Sequence, residues 1–192
     1  MIFPSTSILK RRKMRLKPAN VYWITGMSGA GKTTIGKIFY EHLRSSSSAI
    51  IFLDGDVLRE IFSNGQKYDK ESRKELAKSY ARICKMISDQ GVDVICSTVS
   101  MFHEVQAWNR KHINNYCEIY VKVPLEVLHE RDQKGIYSNA RNNDGKNIVG
   151  IDLLAEEPLN PEIVLCNDGS KTPNEMANIL IEELLQLKSD HS

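Results

Sequence analysis

The sequence has no apolar run approaching the roughly 20 residues that a membrane-spanning helix needs, and no basic leader followed by the apolar segment of a secretory signal. Its four cysteines, Cys84, Cys96, Cys117 and Cys166, stand singly in apolar stretches, without C-x-x-C spacing or a histidine at zinc-like intervals. Zinc modules and dithiol redox pairs are thereby excluded. Buried reduced thiols in a cytoplasmic protein are expected instead. Internal repeats are absent, and the one low-complexity stretch, Ser45 to Ser48, is long enough only for a turn. With 192 residues and nothing to divide them, one domain with a well-buried core is expected.

Charge is distributed unevenly. The first seventeen residues hold six basic side chains and no acid, leaving 20 of the 26 basic residues against all 24 acidic ones, a balance of −4 for the rest. Such a body has no general attraction for nucleic acid or an anionic membrane, so polyanion affinity would belong to the leader alone. Residues 1–19 read as a disordered basic tail, with Met14 as an alternative start, and residues 20–188 as the folded domain.

What is present is a regular alternation of strand and helix. Short apolar, β-rich runs occur at Val21–Thr25, Ile50–Leu53, Val92–Cys96, Glu118–Val123 and Ile163–Leu165. Helical periodicity fills the intervals at about 32–44, 71–90, 104–112, 124–131 and 174–187. Continuous apolar strands between helices predict an α/β fold, a doubly wound parallel sheet of five strands covered on both faces. Between Asp132 and Asp152 the periodicity stops and Gly, Asn, Lys and Arg dominate, which predicts a lid.

The first strand runs into Gly26-Met27-Ser28-Gly29-Ala30-Gly31-Lys32-Thr33-Thr34 and then a helix. A polyphosphate needs many donors close together and no side chains in their way. Three glycines allow that approach, the helix N-terminus offers backbone N–H groups, Lys32 reaches the β- and γ-phosphates, and Thr33 offers a hydroxyl to Mg²⁺. ATP and Mg²⁺ are therefore the expected cofactors. Asp54 and Asp56 follow the second strand, at the sheet edge where open α/β folds bind ligands. Asp56 suits a base for an acceptor hydroxyl, a Mg²⁺ contact, or a helix N-cap. Arg59 and Arg73 would grip an anionic substrate, and Lys134, Arg141 and Lys146 bring positive charge to the lid.

Taken together, the glycine loop, Leu53-Asp-Gly-Asp-x-x-Arg59, Pro124-Leu-Glu126, Arg131-Asp-x-Lys-Gly-x-Tyr137, Ala140-Arg141, Lys146-Asn-x-x-Gly-Ile-Asp152 and Pro161-Glu162 resemble the adenylylsulfate kinase family from about Asn20 to Leu187. That resemblance implies transfer of the ATP γ-phosphate to the ribose 3′-hydroxyl of adenosine 5′-phosphosulfate, and a homodimer. It implies Asp56 as base, Lys32, Thr33 and Arg131 on ATP, and Asp54, Arg59, Tyr68, Arg73, Val99 and Lys134 on the acceptor. Ser100 matches a serine assigned as a phosphoserine intermediate, although direct transfer is simpler chemistry.

The departures fall on the acceptor side. Leu76 stands where the family has Asn, Met101 where it has Pro, and Ile148 where it has the phenylalanine that completes a base sandwich. Losing an amide and a ring weakens purine recognition by about 1 kcal/mol each. Phosphorylation of the smaller nucleotide cytidine diphosphoramidate, in a surface-polysaccharide pathway, is the second reading. A P-loop binder without turnover is the third, disfavoured because a binder needs no carboxylate beside its phosphate cradle.

Overall fold

The structure is a computed structural model and describes residues 19–46, 49–62, 69–131 and 155–190. Five strands, β1 (Asn20–Thr25), β2 (Ile50–Asp54), β3 (Asp93–Ser97), β4 (Asn115–Lys122) and β5 (Ile163–Cys166), form one sheet in the order β2-β3-β1-β4-β5. All four neighbouring pairs are parallel. The helices are α1 (Lys32–Ser46), α2 (Gly55–Phe62), α3 (Lys70–Ser88), α4 (His103–His112), α5 (Leu125–Arg131) and α6 (Pro173–Asp190).

Alternation along β1 explains the two layers of core. Tyr22 and Ile24 join Ile35 and Phe39 of α1 and Leu180 of α6 on one face. Val21 and Trp23 join Leu58 of α2, Ala77 and Cys84 of α3 and Val105 of α4 on the other. Side chains of successive strand residues point to opposite faces, so a strand covered on both sides reads as an unbroken apolar run. The parallel five-stranded sheet expected from sequence is the one observed.

Several readings need correction. Helix α2, absent from the periodicity analysis, starts directly after β2; eight residues with only Gly55 and Leu58 buried give too little pattern to detect. Pro124 precedes α5, capping it through its carbonyl, which accepts from the Leu128 N–H at 3.1 Å. Cys84 and Cys96 are buried thiols, but Cys117 is half-buried and Cys166 is exposed, because β5 is an edge strand with alternate residues facing outward. Burial raises the Cys117 thiol to about 12. Ala19, assigned above to the tail, is buried and donates its N–H to the Ser88 carbonyl at 3.2 Å.

Two polar clusters fix helices that border the site. Phe102 has no oxygen with which to cap α4, and the Glu156 carboxylate does so from a distant part of the chain, accepting from the His103 N–H at 2.8 Å and from Lys70 Nζ of α3 at 3.0 Å. Inside β4, Glu118 is 1% exposed and bonds Arg110 Nη2 of α4 at 2.8 Å, while Arg110 also pairs with Glu162. Among the described residues, no helix is long and apolar enough to cross a membrane.

Candidate active site

The site gathers at the carboxyl edge of the sheet. Strand β1 lies between β3 and β4, so the chain leaving Thr25 emerges at the point where the strand order reverses. There the glycine loop turns into α1. Gly26 has φ 150°, and a Cβ on it would stand 2.4 Å from the Val121 carbonyl oxygen. Only glycine lets the loop leave β1 this close to β4.

Within the loop, Lys32 is 8% exposed and donates from Nζ to the Met27 carbonyl at 2.6 Å, spanning the cradle from its helical to its strand side. Met27 and Ala30 are buried in the first core layer, whereas Gly29 and Thr34 are exposed and Ser28, Gly31 and Thr33 lie between these extremes. The loop is anchored by apolar contacts beneath and presents its backbone above. That is the arrangement a phosphate chain requires.

The acidic side is built by β2 and α2. Asp54 pairs in register with Ser97, placing the ends of β2 and β3 level. Its Oδ1 accepts from the Asp56 N–H at 2.9 Å, so Asp54 is the residue that caps the start of α2. The Asp56 carboxylate pairs with Arg59 one turn later, and its side chain is 53% exposed. The adjoining end of β3 is rich in hydroxyls: Thr98 Oγ1 and Ser100 Oγ are 2.8 Å apart and buried, and the Val99 carbonyl receives a long contact from Thr25 Oγ1 at 3.5 Å.

Arg73 lies in the first turn of α3, which Asp69 caps through its side chain by accepting from the Ser72 N–H at 2.8 Å. Leu76, one turn further, packs against the second core layer. Arg131 ends α5 and donates from Nη2 to Asn167 Oδ1 at 3.1 Å, and Asn167 Nδ2 in turn donates to the Ala30 carbonyl at 2.9 Å. The structure therefore brings Arg131 to the glycine loop. Tyr68, Lys134, Arg141, Lys146 and Ile148, together with the lid span 132–152, lie outside the described residues.

The residues present fit a magnesium ion carried by ATP. No group of three metal-ligating side chains occurs among the described residues, and Mg²⁺ bound with a nucleotide needs only one or two protein oxygens besides phosphates and water. Ser97 Oγ is buried at the end of β3 with no hydrogen-bond partner among the described residues. Since Ile95 faces the α1 layer, the alternation of β3 sends Ser97 to that same side, toward the loop. Sequence reasoning overlooked Ser97, Glu156 and Asn167. Asn167-Asp168-Gly169 directly after an apolar strand was the available signal for the last of them.

A family model described as Adenylylsulphate kinase matches residues 18–166. The chain belongs to that family.

Among its relatives, an adenylylsulphate kinase of Gloeothece citriformis is 36% identical over 86% of this chain and 93% of its own length. The cytidine diphosphoramidate kinase of Campylobacter jejuni is 40% identical over 85% of this chain and 95% of its own length. Among solved structures, the Mycobacterium tuberculosis APS kinase in complex with AMPPNP and APS superposes with a TM-score of 0.78 at 27% identity, covering 87% of this chain and 98% of that one. This family member is accordingly a kinase that uses ATP, with the P-loop fold of its relatives.

Proposed function

We propose that the protein transfers the γ-phosphate of Mg·ATP to a ribose hydroxyl of cytidine diphosphoramidate. The observation that carries the choice of acceptor is Leu76. Its side chain is half-buried, packed against the second core layer, on the helix that also carries Arg73. A purine-recognising amide is thereby replaced by a group that offers no hydrogen bond, and rejecting or accepting a base by such bonds is where nucleotide kinases gain discrimination. Identity of 40% to the Campylobacter jejuni enzyme supports the same choice.

Adenosine 5′-phosphosulfate is the second reading, favoured by Asp54-Gly-Asp-x-x-Arg59 and by several relatives named adenylyl-sulfate kinase at 33–37% identity. Both acceptors call for the same chemistry.

In that chemistry, the loop N–H groups and Lys32 neutralise the transferring phosphoryl group, the Lys32 ammonium leaving the Met27 carbonyl for phosphate oxygens. The Asp56 carboxylate takes the proton of the attacking hydroxyl, and Arg59, paired with it, fixes its position. Arg73 offers a cation to the acceptor's anionic group. Thr33, Asp56 and Ser97 would hold Mg²⁺, which would supply positive charge to offset that of the phosphates.

The test is product analysis. Incubated with Mg·ATP and cytidine diphosphoramidate, the protein should yield ADP and a compound heavier by one phosphoryl group, with a new ribose phosphomonoester signal in the phosphorus NMR spectrum. ADP release that does not depend on the acceptor would defeat the proposal.

A further inference from the structure

We infer that Asn167 is a positioning residue for ATP, tying the phosphate loop to Arg131 so that both are set before the nucleotide arrives. The inference rests on ATP as phosphoryl donor and is independent of which acceptor is used.

Asn167 is the first residue after β5. Its backbone N–H donates to the Lys122 carbonyl at 2.8 Å, carrying the β4–β5 ladder one residue past the strand and fixing its Cα at the carboxyl edge. The residue is 7% exposed and its side chain has both ends occupied: Nδ2 donates to Ala30 O at 2.9 Å, and Oδ1 accepts from Arg131 Nη2 at 3.1 Å. The two partners settle which end is which. A carbonyl can only face the NH₂ and a guanidinium only the oxygen, so no flipped arrangement satisfies both.

The surroundings are shaped for this contact. A Cβ on Gly31 would stand 3.1 Å from Asn167 Nδ2, tighter than an ordinary contact, so the third loop glycine admits the carboxamide. On the far side, a Cβ on Gly169 would stand 3.3 Å from Arg131 Nη2, so the turn after Asn167 backs the guanidinium. One amide thus connects residues 137 and 36 positions away, in the loop between β1 and α1 and at the end of α5. A loop and an arginine already held in place lose less freedom on binding, which appears as affinity for the nucleotide.

Calorimetric titration of the full chain with Mg·AMPPNP, which needs no acceptor, tests this. Asn167→Ala should raise the Kd about tenfold. Asn167→Asp keeps the volume and the Arg131 partner but turns an unprotonated oxygen toward the Ala30 carbonyl, and should raise the Kd at least as much. Because Asn167 acts through Arg131, adding Arg131→Ala to Asn167→Ala should cost less than twofold more, while Arg131→Ala alone weakens binding clearly. For both Asn167 variants kcat at saturating ATP should stay within about twofold of wild type, and both should keep a cooperative thermal unfolding transition without nucleotide.

A Kd within twofold of wild type in both Asn167 variants would overturn the inference, as would full additivity with Arg131→Ala. Loss of folding in both variants would also overturn it, by making the residue structural. Failure of the wild-type chain to bind Mg·AMPPNP would instead refute the kinase reading itself.

Discussion

The Lys32 ammonium sits 2.6 Å from the Met27 carbonyl, inside the loop that it is to serve. That bond shapes the cradle and keeps a buried cation partnered in the absence of phosphate. Lys32→Ala should therefore lower kcat by about 10³-fold through loss of transition-state charge stabilisation. A steady-state ADP-release assay reads this, and retention of more than a tenth of wild-type kcat would contradict the assignment.

Asp54 caps α2, and the Asp56 carboxylate pairs with Arg59. Asp56→Asn should accordingly lower kcat by about 10²- to 10⁴-fold while leaving Mg·AMPPNP affinity within a few-fold. Unchanged kcat would mean that Asp56 is not the base. Asp54→Ala, by contrast, should act through α2, costing about 1 kcal/mol of stability and weakening acceptor binding together.

Glu156 predicts an acid limb in stability. The His103 N–H, and after it Lys70, hold its carboxyl below the ordinary value of 4.5. A depressed carboxyl pKa contributes stability that is fully present above 4.5 and is lost as pH falls through the lower, folded-state value. Glu156→Gln should cost about 1 kcal/mol at neutral pH and flatten the fall of melting temperature below pH 4.5. An acid limb identical to that of wild type would refute the linkage.

Glu118 is 1% exposed, and burial raises its carboxyl despite the Arg110 partner. Removing Arg110 strands a charge in β4, so Arg110→Ala should cost about 2–3 kcal/mol in urea unfolding, at the low end for a buried pair because the arginine is itself partly exposed. Adding Glu118→Gln should recover part of that loss. If the double variant is as unstable as the sum of the single ones, the pair is not coupled.

The sheet and the phosphate loop were legible in the sequence for a physical reason: continuous apolar strands and closely spaced glycines are local patterns, set by burial on both faces and by backbone crowding at Gly26. Helix α2 was not legible, since it is short and Leu58 is its one buried side chain. Asn167 and Glu156 escaped for another reason. Each acts on residues tens of positions away, Asn167 on Ala30 and Glu156 on His103, and no spacing rule encodes a contact made only by the folded sheet. The capping of α2 by Asp54 was not legible either: the sequence offered Asp56 for an N-cap, and the bond from the Asp56 N–H to Asp54 Oδ1 gives that role to its neighbour.

The acceptor is the central claim, and its most direct measurement is the ratio of kcat/KM for cytidine diphosphoramidate to that for adenosine 5′-phosphosulfate, both with Mg·ATP in an ADP-release assay. The account predicts a ratio well above one, reduced about fivefold to tenfold by Leu76→Asn as the purine-recognising amide is restored. A ratio below one in the wild-type protein would contradict it and place the chain among kinases of adenosine 5′-phosphosulfate.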